Sequence, residues 1–185
     1  MNYDTAFKRI IGHEGKFQNH REDRGNWTSG IVGQGELKGT KYGISAMSYP
    51  NEDIENLTLE RAKLIYKRDF WDRYKLDRFH SAVQYQMFDM ALNHGFGNAA
   101  RMLQRAVETL DDGRIGPITM SHYNAIVTTR GIDDLLKLLI AQRIRFFTRL
   151  STFKKFGAGW MNRVADNLVY AADDTEAPWA KGEAA

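Results

Sequence analysis

Two carboxylates near the N-terminus stand where acid–base chemistry could be done. Glu14 follows an apolar helical stripe and is bracketed by Gly12 and Gly15 in the stretch His13-Glu14-Gly15-Lys16-Phe17. A carboxyl group at a helix C-terminus meets the negative end of the helix dipole, and apolar neighbours such as Phe17 strip water from it. Both effects raise its pKa and keep a proton on it, as a general acid requires. Asp23 lies across a turn and precedes Arg24-Gly25-Asn26, a sequence that presents a side chain at an edge. A protonated carboxyl facing a second group that handles a water or a developing positive charge is what glycosidic bond hydrolysis needs. Glu22 and Glu36 compete with Asp23 for the second place. The plainer alternative makes Glu14 a solvated helix-end residue and Asp23 the former of an Asx turn.

Thr40 opens the run Thr40-Lys41-Tyr42-Gly43-Ile44-Ser45, and a hydroxyl there could orient an attacking water. As a β-branched residue it equally suits a half-buried strand. Asn93 and His94 end an apolar helix beside Gly95. Asn93 could hydrogen-bond a sugar amide and His94 could act as a base, while a helix C-terminal Asn is common for structural reasons alone. Tyr42, Asn93 and His94 are the substrate-binding candidates. No clustered Asp and His fall at ligand spacing, so no metal is expected. There is no HExxH, no serine in a nucleophile-elbow pattern and no phosphate-cradling glycine loop joined to a helix.

The elements that must position these groups follow from periodicity. Tyr3, Phe7, Ile10 and Ile11 share one stripe and predict a helix over 3–12. From Gln18 to Gly43 helical periodicity is absent. Eight glycines fall between Gly12 and Gly43, and short β-type pieces such as Asn26-Trp27-Thr28 and Gly30-Ile31-Val32 alternate with turns, so a small hairpin or meander is expected. Thr58 caps a helix to about Trp71. Ser81 to Asn93 is the most apolar helix and therefore the central one, stopped by Gly95 and Gly97. Asn98 caps the next, through about Leu110. Pro117 opens another to about Val127, and helices over 133–151 and 159–172 follow. The expected class is mostly α (α+β), with one small β element near the N-terminus.

The 185 residues suit one domain with a small appendage, and there is no cysteine to make a disulfide or a thiolate metal site. Asp4 and Lys8 break any apolar signal region, and no apolar run is long enough to cross a bilayer. Synthesis in the cytoplasm is expected, with any export needing help from outside the sequence. Net charge is +3, and the excess sits late: from Arg130 to Arg163 there are eight Lys/Arg against two Asp. Arg143, Arg145, Arg149, Lys154, Lys155 and Arg163 interleave with aromatics. This is either a segment for anionic wall polymer or lipid head groups or a core helix with a solvated basic face, and Leu135, Leu136, Leu139 and Ile140 favour the second.

These blocks resemble a known family. His13-Glu14-Gly15, Asp23-Arg24-Gly25-Asn26 and Thr40-Lys41-Tyr42-Gly43-Ile44-Ser45 are similar to the EGG, DPGG and TxYGIT signature of the N-acetylmuramidases of glycoside hydrolase family 108, found among phage endolysins. Phe88-Asp89-Met90-Ala91-Leu92-Asn93-His94-Gly95 resembles the family's DxAVNxG block. Leu103-Gln104-Arg105-Ala106 and Asp112-Gly113-Arg114-Ile115-Gly116-Pro117-Ile118-Thr119 resemble the start of its peptidoglycan-binding region. The likeness extends to small lysozyme-like endolysins of phages of Gram-negative hosts such as Acinetobacter.

The resemblance implies a lysozyme-like fold, no cofactor and peptidoglycan as substrate, cut at the β-1,4 bond between N-acetylmuramic acid and N-acetylglucosamine to lyse a host cell. It carries the catalytic acid onto Glu14 and the assisting carboxylate and hydroxyl onto Asp23 and Thr40. The implied layout is a catalytic region over 1–97 with a β-lobe at about 18–45, a peptidoglycan-binding-like helical region over 98–172, and a loose tail over 173–185. Expected partners are glycan strands and an anionic outer-membrane surface through 130–163, with no nucleic acid and a monomeric chain. Lys16 replaces the second glycine of EGG, and an insertion from Trp27 to Gly39 leaves Glu36 as an alternative to Asp23. The other readings are a lytic transglycosylase and a non-enzymatic wall-binding or membrane-permeabilising protein.

Overall fold

The structure is a computed structural model and describes residues 1–12 and 17–175. The chain divides into two compact units, one spanning Tyr3–Arg73 and the other made of Met1–Asn2 with Tyr74 onward.

In the first unit, α1 (Tyr3–Ile11) buries Tyr3, Ala6 and Phe7. The Tyr3 ring meets Trp71 edge-on at 5.3 Å, and Phe7 lies 5.9 Å from Tyr66. The helix α2 (Leu59–Tyr66) starts where Thr58 accepts the Arg61 amide at 3.1 Å, satisfying a donor that the first turn leaves open. It runs into a wider π turn over Lys67–Asp72, so the helical stretch expected to reach Trp71 changes winding midway.

The glycine-rich stretch builds a small lobe. β1 (Thr40–Lys41) pairs antiparallel with β2 (Ile44–Ser45), and single bridges join Gln18 to Thr40 and Trp27 to Leu37. Tyr42 and Gly43 form the connecting turn, both at positive φ (51° and 75°). Glycine at 43 has a second reason: a Cβ there would lie within bonding-clash distance of the Tyr66 hydroxyl, which donates to the Tyr42 carbonyl at 3.0 Å. The segment Gly30-Ile31-Val32 is a turn rather than the expected strand piece. Gly30 and Gly33 adopt φ of 71° and 81°, and the Ser29 hydroxyl donates to the Gln34 carbonyl at 2.8 Å, closing the tip on itself.

The second unit is helical. It contains α3 (Ser81–His94), α4 (Phe96–Ala106), α5 (Pro117–Arg130), α6 (Ile132–Thr148) and α7 (Phe153–Thr175). The apolar helix is central as expected: α3 packs on α4, α6 and α7. Leu135, Leu136, Leu139 and Ile140 of α6 are buried, each contributing about 1.5–3 kcal/mol relative to exposure.

Several boundaries differ from expectation. Gly95 (φ 75°) ends α3 and also caps α4, so Gly97 lies inside α4 and stops nothing. Asn98 is not the N-cap; its amide donates back to the His94 carbonyl at 2.8 Å, serving the end of α3. α4 stops at Ala106, well before Leu110, because Glu108 takes up φ 56°. α7 begins six residues before Gly159 and continues to Thr175, so residues 173–175 are helix rather than loose tail. Residues 176–185 lie outside the described residues.

Candidate active site

Glu14 lies outside the described residues, as do His13, Gly15 and Lys16. What leads to it is described. α1 ends at Ile11, and Gly12 turns left-handed at φ 50° with its amide still bonded to the Lys8 carbonyl.

Asp23 and Thr40 are brought onto one hydrogen-bond network, through two residues that sequence reasoning passed over. Asn26 is fully buried. Its Oδ1 accepts from the Thr40 hydroxyl at 2.7 Å and from Gln18 Nε2 at 3.1 Å. Its Nδ2 donates to Gln18 Oε1 at 2.8 Å and to the His20 carbonyl at 3.0 Å. Every donor and acceptor of this buried amide is therefore occupied, as burial demands. Gln18 Nε2 also reaches Asp23 Oδ2 at 3.5 Å, while Asp23 Oδ1 accepts the Gly25 amide at 2.8 Å. Asp23 thus is an Asx-turn former, and its other oxygen stays exposed beside the network. Reciprocal backbone bonds between Gln18 and Thr40, at 2.9 and 2.8 Å, hold the Gln18 segment against β1.

The direction of these bonds has a chemical consequence. Thr40 spends its one hydroxyl proton on Asn26, so it offers only lone pairs to anything else. A water beside it must donate to Thr40, which turns the water's own lone pairs outward. Asp23 Oδ2 is an acceptor of the same kind. Glu36 is placed differently: it is exposed and pairs with Lys38 at 3.1 Å. Glu22 is exposed as well. Tyr42 is half-buried at the hairpin turn with its ring beside Lys41.

Asn93 and His94 meet at a second place, in the helical unit. Asn93 Nδ2 donates to the Asp89 carbonyl at 2.7 Å and to its carboxylate at 3.3 Å. Asp89 is completely buried and holds two guanidiniums, Arg143 at 2.5 Å and Arg163 at 2.6 Å, with Asn167 Nδ2 at 3.2 Å. Burial would raise the Asp89 pKa, and the two arginines overcome it, leaving the carboxyl below the usual range. Arg143 Nε donates to His94 Nε2 at 3.2 Å, which puts the proton of the neutral ring on Nδ1. Burial, reinforced by the Arg143 charge, lowers the His94 pKa to about 4. Arg143 therefore does not belong to a solvated basic face, and Arg163, part-exposed, turns its guanidinium onto the buried carboxylate. The one signal for this in the sequence was Asp89 itself, a charge in the middle of the most apolar helix.

Asn93, His94, Phe146, Trp160 and Arg163 border a pocket of about 500 Å³. Trp160 stacks on Phe147 at 4.9 Å, and His94 lies 4.9 Å from Phe146.

The mostly α chain with its small two-stranded lobe has a lysozyme-like fold. Residues 7–95 match the model of the Glycosyl hydrolase 108 family, and residues 98–165 match that of the Predicted Peptidoglycan domain. The region 7–95 is thus a glycosyl hydrolase family 108 region followed by a peptidoglycan domain, and the protein is a peptidoglycan hydrolase. Its fold is similar to that of Brucella abortus SagA, with a TM-score of 0.75 at 24% identity, covering 95% of this chain and 96% of that one. No curated protein matches the sequence.

Proposed function

We propose that the protein is an N-acetylmuramidase that hydrolyses the β-1,4 bond between N-acetylmuramic acid and N-acetylglucosamine. Glu14 protonates the glycosidic oxygen. Thr40 and Asp23 each accept a hydrogen bond from one water and aim its lone pair at the anomeric carbon; as that bond forms, Asp23 takes one proton and the other stays on the new hydroxyl. The observation that carries this reading is the Asn26 amide, which takes the Thr40 proton and ties it to Gln18 and thence to Asp23. That arrangement favours hydrolysis over a lytic transglycosylase, which uses no water. It also favours Asp23 over Glu36 as the second carboxylate, since Glu36 is committed to Lys38. Residues 1–97 would do the chemistry and 98–172 would hold the wall.

Phage lysis of a Gram-negative host is the biological role that fits, with synthesis in the host cytoplasm, action on the periplasmic wall and a monomeric chain. Arg145, Arg149, Lys154 and Lys155 remain available for an anionic outer-membrane surface, since Arg143 and Arg163 are engaged by Asp89.

The test is Glu14→Gln with purified sacculi. Release of reducing ends should vanish while the circular dichroism spectrum is unchanged, and near-normal activity would overturn the assignment. Mass spectrometry of the released muropeptides should show water added across the bond. Products of 1,6-anhydro type would replace hydrolysis by transglycosylation.

A further inference from the structure

The loop of the β1–β2 hairpin holds a residue that the turn itself does not favour. Lys41 pairs with Ile44, so Tyr42 and Gly43 alone make the turn, and both stand at positive φ, 51° and 75°. A two-residue loop of that form favours Asn-Gly, since asparagine and glycine tolerate the left-handed region. Tyrosine does not, because its Cβ crowds the backbone there. Nor is the turn free to relax. The Tyr66 hydroxyl donates to the Tyr42 carbonyl at 3.0 Å, and a side chain on Gly43 would collide with that same hydroxyl. Tyr42 is thus held in a strained conformation just past the strand that carries Thr40.

A second observation concerns its hydroxyl. Four tyrosines lie in the unit Tyr3–Arg73. Three commit their hydroxyls to the fold: Tyr3 donates to the Lys63 carbonyl at 2.5 Å, Tyr66 to the Tyr42 carbonyl, and Tyr49 to the Asp69 carboxylate. Among the described residues the Tyr42 hydroxyl has no partner, and its ring is half-buried rather than buried. Lys41, whose amine lies 5.7 Å from the ring centroid, already donates to the Glu55 carbonyl at 2.8 Å. Strain at a residue whose polar group serves nothing in the fold points to a ligand. Two residues of chain span at most about 7 Å, so the backbone of Tyr42 stays close to that of Thr40.

Resting on the muramidase reading above, we propose that Tyr42 is a glycan contact, its ring against the C–H face of a sugar next to the one attacked and its hydroxyl bonded to that sugar's polar rim. A pyranose shows an apolar C–H face with hydroxyls at its edge, and a tyrosine matches both, having a flat apolar body and a polar tip. Asparagine would turn the chain with less strain and would offer no such face. The hairpin therefore gives up some stability to present the phenol to the substrate.

The test compares Tyr42→Asn and Tyr42→Phe in the full-length protein, by thermal denaturation and by initial rates over a range of sacculus concentrations. Tyr42→Asn should melt about 2–4 °C higher, the shift that a relieved turn gives in a chain of this size. Its half-saturating sacculus concentration should rise about tenfold or more with kcat little changed, the pattern of a lost ground-state contact. Tyr42→Phe keeps the ring and the strain. It should melt with the unchanged protein and saturate at about two- to tenfold higher concentration, the effect of one neutral hydrogen bond. A Tyr42→Asn protein that melts no higher would make the ring a prop of the fold. One that saturates normally would leave the phenol without a ligand, and a loss confined to kcat would move it into the chemistry. Each of these overturns the proposal, and normal saturation of Tyr42→Phe would strike the hydroxyl bond from it. Tyr42 is not the acid, so the two readings fail separately. Activity persisting in Glu14→Gln removes the muramidase assignment, while unchanged saturation in Tyr42→Asn removes only the contact.

Discussion

The two polar centres of this protein are built on opposite principles. In the small lobe, Asn26 joins Gln18 and Thr40 by neutral amide and hydroxyl bonds, and Gln18 extends the link to the Asp23 carboxylate. In the helical unit, the buried Asp89 holds a buried Arg143 and a part-exposed Arg163 by ionic bonds. A neutral network fixes directions without fixing charge, so it can position a water and leave a nearby carboxylate free to act. An ionic cluster fixes charge, so it holds helices together and sets the electrostatics of the pocket beside it.

The comparison is broken most severely by Asp89→Ala. It leaves two arginines close together with no carboxylate between them, and loss of one partner from a buried ion cluster costs roughly 3–5 kcal/mol. Urea denaturation should show a loss of that size, and a change under about 1 kcal/mol would mean that the cluster does not hold the helices. On the other side, Thr40→Val keeps the shape and removes the acceptor for a water. Stability should fall only by about 1 kcal/mol, while turnover on sacculi falls roughly 10²-fold. Equal losses in both measurements would make Thr40 a structural residue.

A smaller effect separates the two centres by pH. His94 prefers the neutral form in the folded state, with its pKa lowered from 6.5 to about 4. Its contribution to stability is fully present above pH 6.5 and is lost as pH falls towards 4. After allowance for solvent around the partly exposed ring, that loss should be about 1–2 kcal/mol. Thermal denaturation of His94→Gln across this window should be flatter than that of the unchanged protein. His80 is also lowered by burial and titrates in the same direction, so the comparison must be between these two chains rather than with a fixed slope. The smallest effect is expected for Glu36→Gln. Its exposed pair with Lys38 contributes about 0–1 kcal/mol, and activity should be unchanged. Loss of activity there would hand the second carboxylate's place from Asp23 to Glu36.

Much of the architecture was legible because it depends on neighbours in the chain. Thr58 as a helix cap, Pro117 at the first turn of α5 and the apolar run of α3 are local facts, and the structure shows each of them. The errors were also local in origin. Gly97 and Asn98 look like a stop and a cap, yet Gly95 alone turns the chain between α3 and α4, freeing both for the next helix. Gly30-Ile31-Val32 has strand composition, but Ser29 and two left-handed glycines close it into a turn.

Composition and order alone determined the mostly helical class, the hairpin after the first helix, and which residues were chemically capable: Asp23, Thr40, Asn93 and His94 among those described. Only the tertiary structure decided how these were partnered. Asn26 reaches Thr40 across 14 positions, and Arg163 reaches Asp89 across 74. A basic residue on a helical stripe has the same local pattern whether it faces water or a buried carboxylate. Which of the two it meets is set by the packing of distant helices, and that packing turned Arg143 from a surface charge into a core one.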